Sequence, residues 1–454
     1  MPKQGPRECA ENRSRGASGW EVCSMGSGAG SADICDVLVI GGGPAGSTVS
    51  TLLTRKGWRV VLIEKDVHPR FHIGESLLPR NLPIFDELGV MEDIARIGIV
   101  KRGADFSFSG YSGHITVEFC NALDPQPPTA FQVKRAQFDH ILLQNAKRTG
   151  VSVHEGVRAT AVEFRTDDSI EVASRDASGA DLTWKTRFLV DASGRDTFLA
   201  NRFGIKVRNR HHESAALFAH FDHVVRRERE EEGNISMYWF RHGWFWVIPF
   251  RDGHVSVGAV CQPEYLKSRE VPTEQFLTDT IAQCPELAAR MKNAVMVTEA
   301  MAAGNFSYYS KWMYKRNCLL VGDAFAFIDP VFSTGVFLAM SGARSAADAI
   351  DVTLRDPGRG RSLLARHERR IVSWISAYSW FIYRFTSPAM QKLFMTRRNP
   401  LRLKSAILSL MSGDTQPSLS RSIRITIFKG FYYICTVANL RKSRQWRIDT
   451  RVTT

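Results

Sequence analysis

A glycine-rich turn between an apolar run and a helical stretch is the feature that most constrains how this chain can fold. Residues 34–40 read Ile-Cys-Asp-Val-Leu-Val-Ile and predict a short buried strand, and Gly-Gly-Gly-Pro-Ala-Gly follows. In this G-x-G-x-x-G pattern, Gly41 permits the tight turn and Gly43 lets the backbone approach a pyrophosphate. Gly46 lets the helix pack closely against the strand, and Ala45 lies in the first helical turn, whose free N–H groups attract phosphate. The pattern predicts a doubly wound, Rossmann-like α/β module that binds a dinucleotide.

A second apolar run supports this interpretation. Residues 59–63 predict the next strand, and Glu64 ends it 18 residues after Gly46. A carboxylate at that place can accept hydrogen bonds from both ribose hydroxyls of an adenosine. A tight turn that holds no ligand is the alternative, but strand, glycines, helix, strand and terminal acid together favour a dinucleotide site.

The positive charge of the chain is concentrated near its C-terminal end. The formal net charge is +14 over 454 residues, yet residues 361–454 contain 18 Lys and Arg against 3 Asp and Glu. Residues 1–360 are therefore close to neutral. A nucleic-acid enzyme needs positive charge around its main cleft, so this distribution argues against nucleic acid as a partner.

Cysteine usage and the lack of targeting signals favour a cytoplasmic location. Eight cysteines are scattered without a Cys-x-x-Cys pair, which is typical of a reducing compartment, and no run of 18 apolar residues predicts a transmembrane segment. His68 and His72 are separated by Pro69 and lack a third ligand nearby, so we expect no metal site. Residues 1–33 are rich in Gly, Ser and charge, and predict a disordered tail.

A later strand and helix resemble the second fingerprint of the FAD-dependent, monooxygenase-like flavoproteins. Residues 317–324 predict an apolar strand that delivers Gly322 and Asp323 at its end, and a helix follows from about Gly335 and Val336. In that family the Asp binds the ribityl chain, and the helix N-terminus points at the flavin pyrimidine. The resemblance implies that all four residues contact FAD.

Two further segments agree with this family. Residues 133–142 resemble its V-x-R-x-x-F-D-x-x-L helix start, which implies that Arg135 lies near the cofactor and that Asp139 ties down the chain. Residues 189–195 resemble the D-A-S-G strand end that closes the FAD cleft. The segments follow the order of the family, so the cofactor that the resemblance implies is FAD.

A tryptophan-rich strand narrows the resemblance to the flavin-dependent halogenases. Residues 243–249 read Gly-Trp-Phe-Trp-Val-Ile-Pro and match the W-x-W-x-I-P signature. Because side chains alternate along a strand, Trp244, Trp246 and Ile248 share one face, and Pro249 ends the strand. A buried aromatic stripe of the core is the alternative. In halogenases these tryptophans shield the flavin, which prevents direct oxygen transfer to an organic substrate.

A second halogenase pattern, F-x-x-P-x-x-S-x-G, occurs at residues 327–335 and includes Pro330, Ser333 and Gly335. The resemblance implies a site for chloride or bromide at Ser333, Thr334 and Gly335, with Pro330 against the cofactor. Backbone N–H groups at a helix start suit an anion. A proline-induced turn with Ser333 as helix cap is an alternative that is compatible with the halide role.

Lys101 resembles the catalytic lysine of this family. It follows an apolar run and precedes Gly103 and Ala104, a setting that favours an ammonium held inside the protein, although most lysines are solvated surface charges. Such a group can hydrogen-bond hypohalous acid or, with a depressed pKa, form a chloramine. Gly74 and Ser76 belong to a segment that resembles the G-E-S-x-x-P strap beside the flavin.

One position departs from the halogenases of free tryptophan. Their second signature has a Glu before the Ser, and this chain has Phe332 there. The replacement resembles the branch that acts on phenols and pyrroles, including acyl groups on carrier proteins. The sequence names no base that would activate the hydroxyl or N–H of such a substrate.

The resemblance as a whole implies a halogenase of electron-rich aromatics. Reduced FAD, supplied by a separate flavin reductase, and oxygen would oxidise the halide to hypohalous acid, which Lys101 directs to a phenol or pyrrole. An aromatic hydroxylase of the same fold is one alternative, but it does not need the paired tryptophans. A flavin reductase or binding flavoprotein that does not halogenate is another.

The motifs divide the chain into an FAD module, a substrate module and a basic helical region at residues 353–454. The FAD module at 34–352 is discontinuous, and a strand-rich substrate module is inserted in it. We assign 34–107, 130–200 and 300–352 to the FAD module, and 108–129 and 200–300 to the substrate module. The basic region could recruit an acidic carrier protein, touch an anionic membrane peripherally, or simply be solvated.

Overall fold

The fold is taken from a computed structural model of the chain. The description covers residues 33–108, 113–124, 127–209, 214–304, 307–396 and 398–452, and the side chains only as far as residue 439. The predicted disordered tail therefore lies, apart from Asp33, outside the described residues.

The first sheet is the predicted Rossmann-like sheet. Its central strands, Asp33–Ile40 and Val60–Glu64, are short runs that are mostly apolar and buried, as expected of parallel strands covered by helices. In spatial order its strands are Tyr314–Lys315, Cys318–Leu320, Asp181–Asp191, Asp33–Ile40, Val60–Glu64 and Ser152–Glu155. All neighbours pair in parallel except the first two, which are antiparallel. The carboxyl ends of the parallel strands therefore meet at one edge, where ligands of such folds bind.

An antiparallel extension and several helices complete this module. Arg158–Phe164 and Ile170–Arg175 form a hairpin that pairs with the long strand Asp181–Asp191. Helices on and around the sheet are Pro44–Arg55, Leu82–Leu88, Met91–Ile97, Arg135–Thr149, Phe198–Arg202 and Thr334–Arg355. Two small sheets connect it to the rest: Ile99–Lys101 with Ala130–Gln132, and Lys206–Arg208, Tyr308–Ser310 and Ala326–Phe327.

The second sheet carries the tryptophan-rich strand. In spatial order its strands are Val295–Met296, Ala215–Asp222, Val255–Cys261, Gly243–Pro249, Ile235–Phe240, Gly103–Phe108 and Ile115–Glu118, and Met301–Ala303 also pairs with Ala215–Asp222. Alternation along Gly243–Pro249 separates two faces. Trp244, Trp246 and Ile248 pack in one core cluster, and Phe245 and Val247 in another, so the predicted shared face is confirmed.

Helices cover both faces of this sheet. Pro263–Lys267, Thr273–Ala282 and Pro285–Arg290 lie on the side of Phe245. The C-terminal helices Pro357–Ile382, Pro388–Met395, Leu403–Met411 and Leu419–Val452 contribute buried side chains to the cluster that contains the tryptophans. The basic region is thus helical, as predicted, and its apolar side chains cover the face of the sheet that carries the tryptophans.

Two strands of the second sheet fall outside the sequence-based module boundaries. Gly103–Phe108 and Met301–Ala303 both pair within it, although the boundaries at 107 and 300 place most of these residues in the FAD module. The chain passes between the sheets through strands of only a few residues, which have no composition of their own. Over the part of the chain that the structure describes, every helix is too short or too polar to cross a lipid bilayer.

Candidate active site

A cavity of about 740 Å³ opens where the carboxyl ends of the parallel strands face the second sheet. The glycine turn, the strap residues and the start of the helix Thr334–Arg355 line it together. The predicted site residues in its lining are Gly41, Gly43, Ala45, Glu64, Gly74, Ser76, Arg135, Trp244, Trp246, Asp323, Pro330, Ser333, Gly335 and Val336. Residues far apart in sequence therefore meet around one space of a size suited to a large cofactor.

Each glycine of the turn has its own structural reason for lacking a side chain. Gly41 has φ +106°, and a Cβ there would lie 2.4 Å from the carbonyl oxygen of Ala192. A Cβ on Gly46 would lie 1.8 Å from the carbonyl oxygen of Gly41, so helix and strand can pack only without a side chain. Gly43 is different, because its added Cβ would meet only the Arg70 guanidinium at 3.8 Å. The backbone at Gly43 is thus open to the cavity, as a phosphate-binding turn requires.

Glu64 is fixed beside this turn. One carboxylate oxygen accepts a hydrogen bond from the amide N of Gly42 at 2.5 Å, and the other accepts from the amide N of Asp66 at 3.0 Å. A carboxylate oxygen can accept more than one hydrogen bond. Glu64 lines the cavity and keeps acceptor capacity there for ribose hydroxyls.

Arg135 holds the strap against the FAD module. Its guanidinium forms a buried bidentate pair with Asp139 at 2.7 and 2.9 Å and donates to the carbonyl oxygen of Ile73 at 3.0 Å. The neighbouring Gly74 has φ +109°, and a Cβ there would lie 2.9 Å from that guanidinium. The network fixes the helix start and the strap in one position, which is the role predicted for Asp139.

Asp323 lies at the carboxyl end of the strand Cys318–Leu320. Burial raises its pKa to about 6, although Arg195 and Arg135 act in the opposite direction. The preceding Gly322 has φ +62°, which lets the chain turn there. A half-buried carboxyl that lines the cavity is suited to hydrogen bonding with a polyol such as a ribityl chain.

The two tryptophans form part of the opposite wall. Trp244 and Trp246 are 4% and 5% exposed, with ring centroids 6.0 Å apart. The indole N–H of Trp246 donates to the hydroxyl of Ser256 at 3.1 Å, and Gly258 leaves the space its ring occupies. The rings are both core residues and cavity lining, so the core interpretation and the shielding role are compatible.

The start of the helix Thr334–Arg355 faces the cavity. Ser333 has φ +57° and makes no capping hydrogen bond with its side chain, so the alternative of Ser333 as helix cap is not borne out. Asp329 instead caps the preceding turn by accepting from the amide N of Val331. A Cβ added at Gly335 would meet nothing within 4 Å, and the hydroxyl of Thr334 is buried without a partner. The uncapped N–H groups of a 22-residue helix are therefore available to an anion.

Lys101 is 2% exposed, which confirms the buried setting expected from the sequence. Its Nζ donates to the hydroxyl of Ser76 at 2.9 Å and to the carbonyl oxygen of Leu77 at 3.1 Å. Burial lowers its pKa from 10.5 to about 7. Because Ser76 lines the large cavity, Lys101 is one hydrogen bond away from it.

A second, smaller cavity lies beyond this lysine. It measures about 70 Å³, and Lys101, Phe119, Phe332 and Ser333 are among the residues that line it. Ser333 and Ile235 line both cavities. The wall between the two spaces is therefore thin at the start of the helix Thr334–Arg355.

The residues of the large cavity fit FAD. The large cavity supplies the groups that a pyrophosphate, a ribose and a ribityl chain need: open backbone at Gly43, the acceptors of Glu64 and the half-buried carboxyl of Asp323. Among the predicted site residues, Gly46, Gly322, Thr334 and Lys101 do not line it. Gly46 and Gly322 shape the backbone around it, and Thr334 is buried within the first turn of its helix.

Several residues around the site were not among the predicted site residues. Arg70 and Arg195 line the large cavity and bring positive charge toward the glycine turn. Glu75 and His220 form a buried pair at 2.7 Å between the strap and the second sheet. The side chain of Lys404, from the basic region, lines the small cavity. The sequence signal for Lys404 was only the concentration of basic and aromatic residues after position 360.

A cluster outside the two cavities contains metal-ligating residue types. Asp105, His114 and Glu231 bring ligand atoms within 4.8 Å of one another. Arg227 lies 3.3 Å from Asp105, and the hydroxyl of Thr116 lies within hydrogen-bond distance of both carboxylates, so the carboxylates already have partners within the protein. The cluster supports no metal assignment.

A family model for an FAD binding domain matches residues 34–376. Among curated proteins, the tryptophan 2-halogenase of Chondromyces crocatus is 35% identical over 69% of this chain and 60% of its own length. The 1H-pyrrole-2-carbonyl-[peptidyl-carrier protein] chlorinase of Pseudomonas fluorescens is 29% identical over 84% of this chain and 89% of its own.

Among solved structures, the myxobacterial chondrochloren halogenase superposes with a TM-score of 0.74 and 32% identity, covering 85% of this chain and 91% of that one. The chain belongs to the FAD-dependent halogenases, and FAD is the cofactor of its fold. It spans 60% of the length of the tryptophan halogenase, so its own reaction and substrates are proposals below.

Proposed function

We propose that this protein halogenates an electron-rich aromatic ring, using chloride or bromide. One observation carries the proposal: the buried Lys101 lines the small cavity and is hydrogen-bonded to Ser76 of the large one. Such a geometry connects a flavin-sized space with a substrate-sized space through one ammonium. A hydroxylase that transfers oxygen directly from flavin to substrate would not need an ammonium between two separate spaces.

When bound, reduced FAD together with oxygen would supply the oxidising power that converts halide into hypohalous acid. The chain contributes the halide site. N–H groups of Thr334 and Gly335, at the positive end of the helix Thr334–Arg355, hold the anion. Gly335 lines the cavity, as does Ser333 in the left-handed turn before the helix. A side chain at position 335 would fill this space.

Trp244 and Trp246 keep organic molecules away from the flavin. Both rings are almost fully buried, and Trp246 is fixed by its hydrogen bond to Ser256. A bulky aromatic wall excludes a substrate ring from the large cavity, whereas halide and hypohalous acid are small. The tryptophans therefore favour halogenation over direct hydroxylation, which is the competing reaction of this fold.

Lys101 receives hypohalous acid in the small cavity. As an ammonium it donates a hydrogen bond that polarises the oxygen–halogen bond, and as an amine it can carry the halogen itself. Because burial places its pKa at about 7, both forms are populated near neutral pH. Either form presents electrophilic halogen to a ring held among the apolar side chains of that cavity.

The substrate class is a phenol or pyrrole, free or tethered to a carrier protein. Phe332 occupies the position of the Glu in the tryptophan-specific branch, and it lines the small cavity. Carrier tethering is supported by the likeness to a carrier-protein chlorinase and by the basic helical region. Reduced FAD comes from a separate flavin reductase.

The test is a halide-dependent mass change. The reaction mixture contains the protein, FAD, a flavin reductase, NADH and either chloride or bromide. Phenols and pyrroles, both free and carrier-linked, are added, and the product masses are measured by mass spectrometry. We expect products heavier by one halogen in place of hydrogen. Products that contain added oxygen, with none halogenated, would contradict the proposal and favour the hydroxylase.

A further inference from the structure

The small cavity is apolar apart from three residues. Lys101, Ser333 and Lys404 supply its polar groups, and among the described residues none that lines it is acidic. Two ammonium groups without a carboxylate give the cavity a positive potential. A ligand with a negatively charged or readily ionised oxygen is therefore favoured over a neutral one.

The aromatic lining sets the shape of this ligand. Side chains from the second sheet and the C-terminal helices face each other across the cavity, and its phenylalanines are Phe106, Phe119, Phe332, Phe394 and Phe428. A volume of about 70 Å³ corresponds to roughly two water molecules at their share of liquid volume, about 30 Å³ each. The cavity therefore excludes any ligand larger than a single small ring.

Lys404 is held in place at the margin of this space. It lies in the first turn of the helix Leu403–Met411, and its Nζ donates to the carbonyl oxygens of Phe394, at 2.8 Å, and Thr396. The side chain is half-buried, and burial lowers its pKa to about 8. Its amine is thus partly neutral in mildly alkaline solution, and the ammonium keeps a third N–H for a ligand.

We propose that Lys404 binds the hydroxyl of a single-ring phenol and takes its proton, so that the substrate is held as a phenolate in the small cavity. The inference rests on the proposed halogenase function and names its substrate class. It also identifies the base for which the sequence shows no candidate.

The proton moves directly from the phenol to Lys404, so no further reactant is needed. The phenol O–H bond breaks, its electron pair stays on oxygen, and an N–H bond forms at Nζ of Lys404. The resulting ammonium and phenolate attract each other in a cavity that water fills poorly. A phenolate donates electron density to its ring far more strongly than a phenol does, so the ring attacks electrophilic halogen faster. A pyrrole N–H is too weakly acidic for an amine to ionise, so Lys404 favours phenols.

The first experiment uses 4-nitrophenol, which absorbs visible light only as its anion, and needs no turnover. Titrated with the FAD-loaded protein at pH 6, the probe should show a phenolate-to-phenol ratio about tenfold above its value in free solution. Lys404→Met should remove this rise. Lys392→Met is the matched control, because Lys392 is exposed on the neighbouring helix Pro388–Met395, and it should behave as wild type.

The outcomes of this experiment are decisive. An equal phenolate signal in wild type and Lys404→Met, or no binding of 4-nitrophenol by wild type, overturns the proposal. So does a signal that depends on Lys101 alone, tested with Lys101→Met. Thermal midpoints of all variants within a few degrees of wild type show that a lost signal does not reflect unfolding.

The second experiment separates this inference from the proposed function. Hypohalous acid made without aromatic substrate is captured by a small β-diketone trap in wild type, Lys404→Met and Lys404→Arg. Equal capture with at least tenfold slower phenol halogenation in Lys404→Met supports the role of Lys404. No capture by wild type refutes the halogenase proposal and leaves the nitrophenol result standing.

The arginine variant adds a pH signature. Arginine keeps the positive charge but cannot accept a proton at working pH. Halogenation by Lys404→Arg should therefore rise with pH until the free phenol ionises, whereas the wild-type rate should level off at lower pH. Identical pH profiles would show that Lys404 supplies only charge, which overturns the proton-accepting role.

Discussion

The two cavities of this protein are built differently. The part of the large cavity that carries the sequence motifs consists of turns at the ends of strands and at helix starts, such as those at Gly43 and Gly335, and Trp244 and Trp246 form part of its other wall. The small cavity is lined by side chains from widely separated parts of the chain, including Lys101 and Phe428. A cofactor with a fixed structure is bound by local turns, whereas a substrate cavity depends on how distant elements pack.

The largest expected effect is at the boundary between the cavities. Lys101→Met should reduce aromatic halogenation by about 10³-fold, in the range of a lost general acid or base, while FAD still binds and oxygen is still consumed. Product analysis with a parallel oxygen-electrode trace measures both. Methionine fits the buried site without charge, so the fold should hold. Product formation at the wild-type rate would remove Lys101 from the mechanism.

The second-largest expected effect is a loss of FAD affinity, which concerns the large cavity alone. In Gly43→Val the side chain would project toward the cavity with only Arg70 nearby, so the fold is preserved and the cofactor is obstructed. FAD affinity should fall at least about tenfold, equivalent to 1.4 kcal/mol, in a flavin fluorescence titration. Gly430→Ala is the control, because an added Cβ there meets nothing within 4 Å. Unchanged FAD affinity in Gly43→Val would place the pyrophosphate elsewhere.

A third prediction concerns stability and pH. Burial lowers the pKa of Lys101 from 10.5 to about 7, so between these values the unfolded chain binds more protons than the folded one. The free energy of unfolding contributed by this site therefore rises with pH over that window, by at most about 1.4 kcal/mol per pH unit, and is lowest below pH 7. Urea unfolding of wild type and Lys101→Met between pH 6 and 9 measures it.

The variant should be the more stable protein at pH 6, and the difference should shrink as pH rises. Lys392→Met, at an exposed position, serves as the control and should follow wild type at every pH. Parallel curves for wild type and Lys101→Met would mean that Lys101 is hydrated in the folded protein.

The smallest expected effect is on delivery of substrate. If the basic helices recruit an acidic carrier protein, raising NaCl from about 50 to about 200 mM should increase KM several-fold for a carrier-linked phenol. KM for the same phenol free in solution should stay constant. An equal response of both substrates would assign the positive charge to general solvation.

Much of the large cavity could be predicted from the sequence, because each of its parts is a short motif with its own physical reason. Gly41 and Gly46 are needed where backbones approach closely, and Glu64 follows a strand at a fixed distance. The buried position of Lys101 was also predictable from its apolar flanks. Which residues act in catalysis stays a prediction that the experiments above address.

The small cavity could not be predicted in this way. Lys404 and Phe428 come from helices whose sequences indicate only amphipathic, basic segments, and the packing angle of each helix decides which side chains meet. The alternative of a cap at Ser333 is not borne out, for a related reason. The turn places Ser333 in a left-handed conformation, and Asp329 caps one turn earlier instead.

The C-terminal helices that cover the second sheet have a consequence for how such proteins diversify. Helices Pro388–Met395 and Leu403–Met411 line the small cavity but contribute nothing to the lining of the large one. If the small cavity holds the substrate, as proposed, substitutions there alter which ring is accepted without disturbing the cofactor site. Exchange of residues 388–411 with the matching segment of a related halogenase would then change substrate preference and leave FAD binding unchanged.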